Sequence, residues 1–185
     1  MPKEYFDREA ATWDNNPQRL ELAMTVAEKI INSVPLLNKW TALDYGCGTG
    51  SLSFLLKSSL YSITLADESK GMLDVLENKI NAHKVTNLHP IPLNLLEDEY
   101  TAKHDLIYTL MALHHIKDVH AIIAKFNSIL NKDGYLCIGD LVEEDGSFHA
   151  HHANYDGHNG FNLDSLKDIL QKPDLKKSKQ KFVLR

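Results

Sequence analysis

Residues 43–50 read Leu-Asp-Tyr-Gly-Cys-Gly-Thr-Gly. Glycines let a chain turn sharply and bring its backbone against a ligand with no Cβ in the way. A helix that opens after such a turn offers free N–H groups and a partial positive charge, which suit a carboxylate or a phosphate. Spacing narrows the ligand class. A dinucleotide fingerprint needs Gly-x-Gly-x-x-Gly, but here Gly50 comes one residue early and Ser51 holds the place of the third glycine. No Gly-Lys-Ser/Thr follows, so a P-loop is excluded. Further along, Asp67-Glu68 offers a pair of carboxylates, and His114-His115 a pair of imidazoles that titrate near neutral pH and so suit proton transfer. A polar stretch over residues 143–161 gathers His149, His151, His152, Tyr155, Asp156 and His158.

Alternating elements must position these groups. Leu20, Ala23, Ala27, Ile30, Ile31 and Val34 make one apolar helix face that starts near Pro17 and is closed by Pro35. Short apolar runs at 40–45, 61–66, 88–93, 105–110, 135–142 and 181–184 read as strands, with Pro90 and Pro92 placing the third at an edge. Helical patterns cover 51–57, 72–80, 119–130 and 163–170, and Asn131-Lys132-Asp133-Gly134 reads as a turn. This order predicts an α/β fold with a doubly wound, mostly parallel sheet and helices on both faces. In such sheets ligands sit at the carboxyl ends of the strands, where the residues singled out above fall.

The pattern Asp44-x-Gly46-x-Gly48-x-Gly50 resembles the first motif of class I S-adenosylmethionine-dependent methyltransferases. Leu65-Ala66-Asp67-Glu68, followed by Ser69-Lys70-Gly71-Met72-Leu73, looks like the acidic residue that family carries after its second strand. The resemblance implies a Rossmann-like fold and S-adenosylmethionine as cofactor, with S-adenosylhomocysteine as its product. It implies that Gly46, Cys47, Gly48 and Gly50 line the cofactor, with Asp44 supporting the loop. Asp67, with Glu68 beside it, would accept both ribose hydroxyls. Asn94 and Leu95 fall near the adenine; Asn94 replaces the family's acidic residue, though its amide oxygen can accept from an amine. Leu110 ends the fourth strand against the cofactor. Residues 108–116 resemble the Leu-x-His-His segment of the small-molecule branch, which implies that His114 and His115 face the catalytic cleft. Residues 6–14 resemble the aromatic-rich lid of that branch. Residues 143–161 resemble a stretch of some members and imply an acceptor loop that uses His149, Tyr155 and His158.

Absences refine the acceptor. The segment Tyr108-Thr109-Leu110-Met111 has no proline, unlike enzymes that methylate exocyclic base nitrogens, and neither Cys47 nor Cys137 stands where a cytosine-C5 nucleophile would. A small molecule is the expected acceptor. The chain has 185 residues and a net charge of −5, which suits one domain and argues against a nucleic-acid partner. The expected parts are a lid and helix at 1–35, a cofactor core at 36–142, the acceptor loop at 143–161, and a C-terminal helix and strand at 162–185, too short for two final strands. No apolar run of membrane-spanning length occurs, and the charged N-terminus lacks a signal-like segment. The expectation is a cytoplasmic protein without a membrane partner. The lysines at 172, 176, 177, 179 and 181 read as a solvated tail. Histidines adjacent in a loop do not by themselves show the convergence a metal needs, so no metal is expected. Two alternatives remain: a non-catalytic binding protein of methyltransferase-like fold, and an NAD-dependent oxidoreductase on a similar sheet.

Overall fold

The computed structural model describes residues 3–151, 155–170 and 179–184, the last by backbone alone. In chain order the helices are α1 (Lys3–Glu9), α2 (Pro17–Ser33), α3 (Ser51–Leu56), α4 (Lys70–Ala82), α5 (Val119–Ile129) and α6 (Leu163–Leu170). The strands are β1 (Thr41–Tyr45), β2 (Ser62–Asp67), β3 (Leu88–Pro92), β4 (His104–Leu110), β5 (Leu130–Asp140) and β6 (Lys179–Leu184). They form one sheet in the order β3-β2-β1-β4-β5-β6, every neighbouring pair parallel. The expected parallel sheet is therefore present, with one strand after α6 among the described residues, and β3 with its two prolines lies at the edge. The lysines at 172, 176 and 177 lie outside the described residues.

Period-two alternation along the strands builds two cores. Ala42, Ile63, Leu65, Leu106, Tyr108, Tyr135 and Cys137 face α2, α3 and α4. Leu43, Ala66, Ile107, Leu136 and Ile138 face α5 and α6 on the other side. Strands buried on both faces read as continuous apolar runs, as these do. Local signals set the helix ends. Pro17 opens α2, where its missing N–H costs nothing. Asn16, Ser69 and Asp118 cap α2, α4 and α5 with side-chain oxygens that accept from Gln18, Met72 and Ala121 N–H. No helix among the described residues is long and apolar enough to cross a membrane.

One segment departs from expectation. Residues 131–134 do not separate a helix from a strand but belong to β5 itself. The turn chemistry is still expressed there. His104 pairs with Leu130, whereas Leu106 pairs with Tyr135, so the chain bulges between those rungs. Asp133 takes a left-handed φ of 63° within the bulge. Asn131 Nδ2 donates to Asp105 Oδ1 at 2.8 Å and ties the bulge to β4. At its far end β5 stops at Asp140, and Val142 survives only as a bridge to Phe161.

Parallel pairing sends β1, β2, β4 and β5 out of the sheet at one edge. Asp44 stands opposite Leu65 on one side and Tyr108 on the other. That places Asp67, Leu110 and Asp140 along the same rim. The packing gives a stability expectation. Phe126 is fully buried on α5, with its ring 5.3 Å from that of Tyr45. Phe126→Ala should cost about 3–5 kcal/mol, read as a fall in the urea midpoint at constant slope. Tyr61→Ala, at a residue 68% exposed, should change stability by less than about 0.5 kcal/mol.

Candidate functional site

The glycine loop leaves β1 at Tyr45. The N–H groups of Gly46 and Cys47 both donate to the Ala66 carbonyl, at 2.8 and 3.1 Å. Gly46, Gly48 and Gly50 all take left-handed φ, at 70°, 53° and 78°, but they serve different ends. A Cβ on Gly46 would lie 2.4 Å from the Cβ of Ala112, and one on Gly50 would lie 2.6 Å from Leu76 Cδ1. Those two glycines let the loop pack on its neighbours. A Cβ on Gly48 would meet only Trp13 Nε1, at 3.8 Å. Gly48 therefore has no close packing neighbour at that position and faces the Trp13 indole.

Asp67 stands at the end of β2 beside Gly48. Its Oδ2 accepts from Gly48 N–H at 2.8 Å and its Oδ1 from Ser69 N–H at 2.9 Å. A carboxylate has about four acceptor positions, so capacity remains on both oxygens. Burial raises the Asp67 pKa, and the backbone donors oppose that rise. Asp44 lies behind the loop, fully buried. It accepts from Ser53 Oγ at 2.6 Å, and that hydroxyl is 2.5 Å from Tyr108 Oη. Burial pushes the Asp44 carboxyl up to about 7. Burial and then the charges of Asp44 and Asp67 raise the Cys47 thiol well above its usual range, which keeps it a packed, unreactive thiol. Glu68 is exposed and hydrogen-bonds the Asn94 side chain, whose Oδ1 also accepts from Leu96 N–H at 2.9 Å. Leu95 is buried, and its N–H reaches Tyr45 Oη at 3.3 Å. Leu110 is half-buried at the end of β4.

The N-terminal segment closes over this rim. Asp7 Oδ1 accepts from Ser69 Oγ at 2.7 Å and Gly71 N–H at 2.8 Å. These bonds hold its carboxyl below the usual range. Asp14 accepts from Thr49 Oγ1 at 2.6 Å and Lys79 Nζ at 2.8 Å. The Arg19 guanidinium lies 3.5 Å from the Trp13 ring centroid and donates to the Trp13 carbonyl, fixing the indole above Gly48. The Phe6 ring lies between Trp13, at 5.8 Å, and His115, at 5.3 Å.

The histidines form the other wall. His114 and His115 occupy the turn Leu113–His115 after β4. His114 is buried, and its Nδ1 lies 2.5 Å from Asp140 Oδ1 at the end of β5. A carboxylate oxygen accepts there, so Nδ1 carries the hydrogen and Nε2 the lone pair. Asp140 also accepts from the His114 and Leu141 N–H groups. The turn Ser147–His149 brings His149 against this pair, stacked at 3.7 Å and 8° on Tyr155. The Tyr155 hydroxyl lies 2.9 Å from the His114 carbonyl and 2.8 Å from that of His158. His158 differs from the other loop residues named from sequence. Its Nε2 donates to the Ile116 and Lys117 carbonyls at 3.0 and 3.2 Å, so its ring pins the loop to the turn.

The structure thus brings together Asp44, Gly46, Cys47, Gly48, Gly50, Asp67, Glu68, Asn94, Leu95 and Leu110 on one rim. His114, His115, His149 and Tyr155 stand on the adjoining wall. Sequence reasoning missed Asp7, Asp14 and Asp140. Asp140 had a usable signal, since it ends a strand on the ligand-bearing edge. Asp7 and Asp14 had none, because their partners lie in distant segments.

Residues 8–180 match a family model described as a methyltransferase domain. An uncharacterized methyltransferase of Schizosaccharomyces pombe is 28% identical over 116 residues, which is 58% of this chain and 41% of that protein. The (S)-coclaurine N-methyltransferase of Papaver somniferum is 21% identical over 150 residues, 78% of this chain and 40% of that protein. The chain spans less than half the length of these two relatives. Among solved structures, phosphoethanolamine N-methyltransferase 2 of Haemonchus contortus, in complex with phosphomonomethylethanolamine and S-adenosylhomocysteine, superposes with a TM-score of 0.69. It is 20% identical, and the match covers 81% of this chain and 35% of that one.

Asp44 gives a pH prediction. Its folded pKa of about 7 lies above the 3.8 of an unperturbed aspartate. The folded state therefore holds the proton longer. The stability this confers is complete below about pH 4 and is lost as pH rises through about 7. Asp44→Asn should remove that loss. In urea unfolding, the variant should gain on the native protein by up to about 1.4 kcal/mol per pH unit across the window. A difference that stays flat between pH 4 and 8 would show that Asp44 titrates normally.

Proposed function

The chain belongs to the methyltransferase-domain family, and on that premise we propose that it transfers the methyl group of S-adenosylmethionine to a small-molecule acceptor. The observation that carries this reading is Gly48, bonded to the Asp67 carboxylate and facing the Trp13 indole. It alone of the three loop glycines has no close packing neighbour at its Cβ position, so its backbone is the one a ligand can approach. The remaining acceptor capacity of Asp67 suits two ribose hydroxyls. Glu68, Asn94 and Leu95 lie on the adenine side of that position.

Charge separates this reading from an oxidoreductase. The Asp67 carboxylate bears directly on the loop through the Gly48 N–H. Its field favours a cationic ligand and opposes the pyrophosphate of a dinucleotide. When bound, the cofactor supplies an activated methyl group on a sulfonium cation. The chain's own work is positioning and exclusion of water. Trp13 stands over Gly48 with Phe6 against it, and His149 and Tyr155 pack against His115 from the side. His115 is placed to take a proton from an acceptor that has one to lose. His114, fixed by Asp140, holds the neighbouring position, and His149 and Tyr155 are the polar contacts offered to the acceptor. The small-molecule acceptor is supported by the absence of the base-methylating motifs after β4. The N-methyltransferases similar to this chain are also named for small amines. A cytoplasmic setting agrees with this reading.

Calorimetry and thermal melts test it. S-adenosylhomocysteine should bind and raise the melting temperature, since a ligand for the folded state alone stabilises it. NAD should do neither; the reverse pattern would reject the reading. Asp67→Ala should weaken S-adenosylhomocysteine by about 1.5–3 kcal/mol, the range for hydrogen bonds to a charged group. Gly48→Val should abolish binding, through the filled space and through its strained φ of 53°. Normal affinity in Gly48→Val would reduce the loop to a turn.

A further inference from the structure

Three imidazoles from two strand ends meet on the acceptor wall. His114 and His115 follow β4, and His149 follows β5. One ring nitrogen of each lies within 4.8 Å of the others. The ring centroids are 4.0 Å apart for His114 and His115, 5.1 Å for His114 and His149, and 5.7 Å for His115 and His149. His114 and His149 are buried and His115 is half-buried.

We propose that His114, His115 and His149 form a three-imidazole site for a divalent transition-metal ion of the zinc class. Neutral imidazole is a favoured ligand of zinc, cobalt, nickel and copper and a poor one for magnesium or calcium. Three nitrogens at about 2.0–2.1 Å from one tetrahedral ion stand roughly 3.4 Å apart. Closing from 4.8 Å to that spacing is a shift of roughly 1.4 Å between ring nitrogens.

Two neighbours prepare the site. Asp140 holds the Nδ1 hydrogen of His114 at 2.5 Å, which leaves Nε2 as the ligand atom. This carboxylate–histidine pairing is the outer support that metal-binding histidines ordinarily have. Tyr155, stacked flat on His149, fixes the plane of that ring. Three protein ligands leave a tetrahedral ion one open position, the form of catalytic rather than structural sites. Phe6 touches His115 and Trp13 alike, so the same ring links this site to the indole over Gly48. An oxygen, nitrogen or sulfur of the acceptor can take the open position. Adjacent histidines within the loop gave no such expectation from sequence. The convergence comes from β4 and β5 lying side by side, which pairs one loop histidine with two from another segment. Metal binding draws on different residues from the cofactor rim, and an ion held by His115 takes up the lone pair with which that ring would otherwise accept a proton.

Titration of the full chain with cobalt(II) and zinc(II) chloride tests the site. Cobalt should bind at one equivalent with the visible absorption of a four-coordinate ion, zinc should displace it, and zinc should raise the melting temperature. His115→Ala and His149→Ala should each abolish the cobalt band. Asp140→Asn keeps all three ligands and should weaken zinc by about 10–100-fold. His89→Ala, on exposed edge strand β3, should change nothing. His149→Ala should still bind S-adenosylhomocysteine, which establishes that it is folded and separates failure here from failure of the cofactor reading. Lack of stoichiometric cobalt or zinc binding by the native chain would overturn the proposal. So would native affinity in His149→Ala.

Discussion

The hydrogen bond from the Gly48 N–H to the Asp67 carboxylate ties the glycine loop to the end of β2, and the candidate site is organised around it. The bond exists because β1 and β2 run parallel in a register that pairs Tyr45 with Ala66. It holds because Gly48 can adopt a left-handed φ without a Cβ. It also fixes a buried carboxylate where a neutral group would be less costly, as the raised pKa of Asp67 records. Folded proteins keep such charges where a ligand or backbone donors compensate them. Here the backbone donors of Gly48 and Ser69 compensate in part.

The second centre obeys a different constraint. His114 and Asp140 sit at the ends of adjacent strands β4 and β5, and their bond is almost wholly shielded from water. An unpaired carboxylate or imidazole at that depth would be costly, so each fixes the other. His115, next in sequence but only half-buried, inherits its place from that anchor. The segment after β5 is then drawn in by His158 and Tyr155, whose contacts go to the backbone carbonyls of His114, Ile116, Lys117 and His158. Backbone recognition of this kind positions a loop whatever the side chains it covers.

Much of this was legible in the sequence because it is local. The glycine spacing, the apolar runs of β1, β2 and β4, and the helical face of α5 are each set within a few residues, and their elements appear within a residue or two of expectation. Three features escaped for physical reasons. The turn chemistry of residues 131–134 was visible, but whether it ends a strand or bulges one depends on the partner strand, here through Asn131 and Asp105. The bonds of Asp7 and Asp14 join residues far apart in sequence and leave no periodic trace. Asp140 reads as an ordinary strand-end residue until His114 is brought beside it. Conversely, Gly46 and Gly50 carry the same motif signature as Gly48, although their lack of a side chain serves packing on Ala112 and Leu76.

The N-terminal arm has two attachments that are one and the same. Asp7 not only holds the arm down but completes the first turn of α4, by accepting from Gly71 N–H and from the cap residue Ser69. The backbone of Asp7 comes so near Gly71 that a Cβ there would lie 2.7 Å from its carbonyl oxygen. Lifting the arm therefore strips a helix of part of its cap, a loss of about 1 kcal/mol or more. Any movement of the arm away from Gly71 is thereby coupled to fraying at the start of α4.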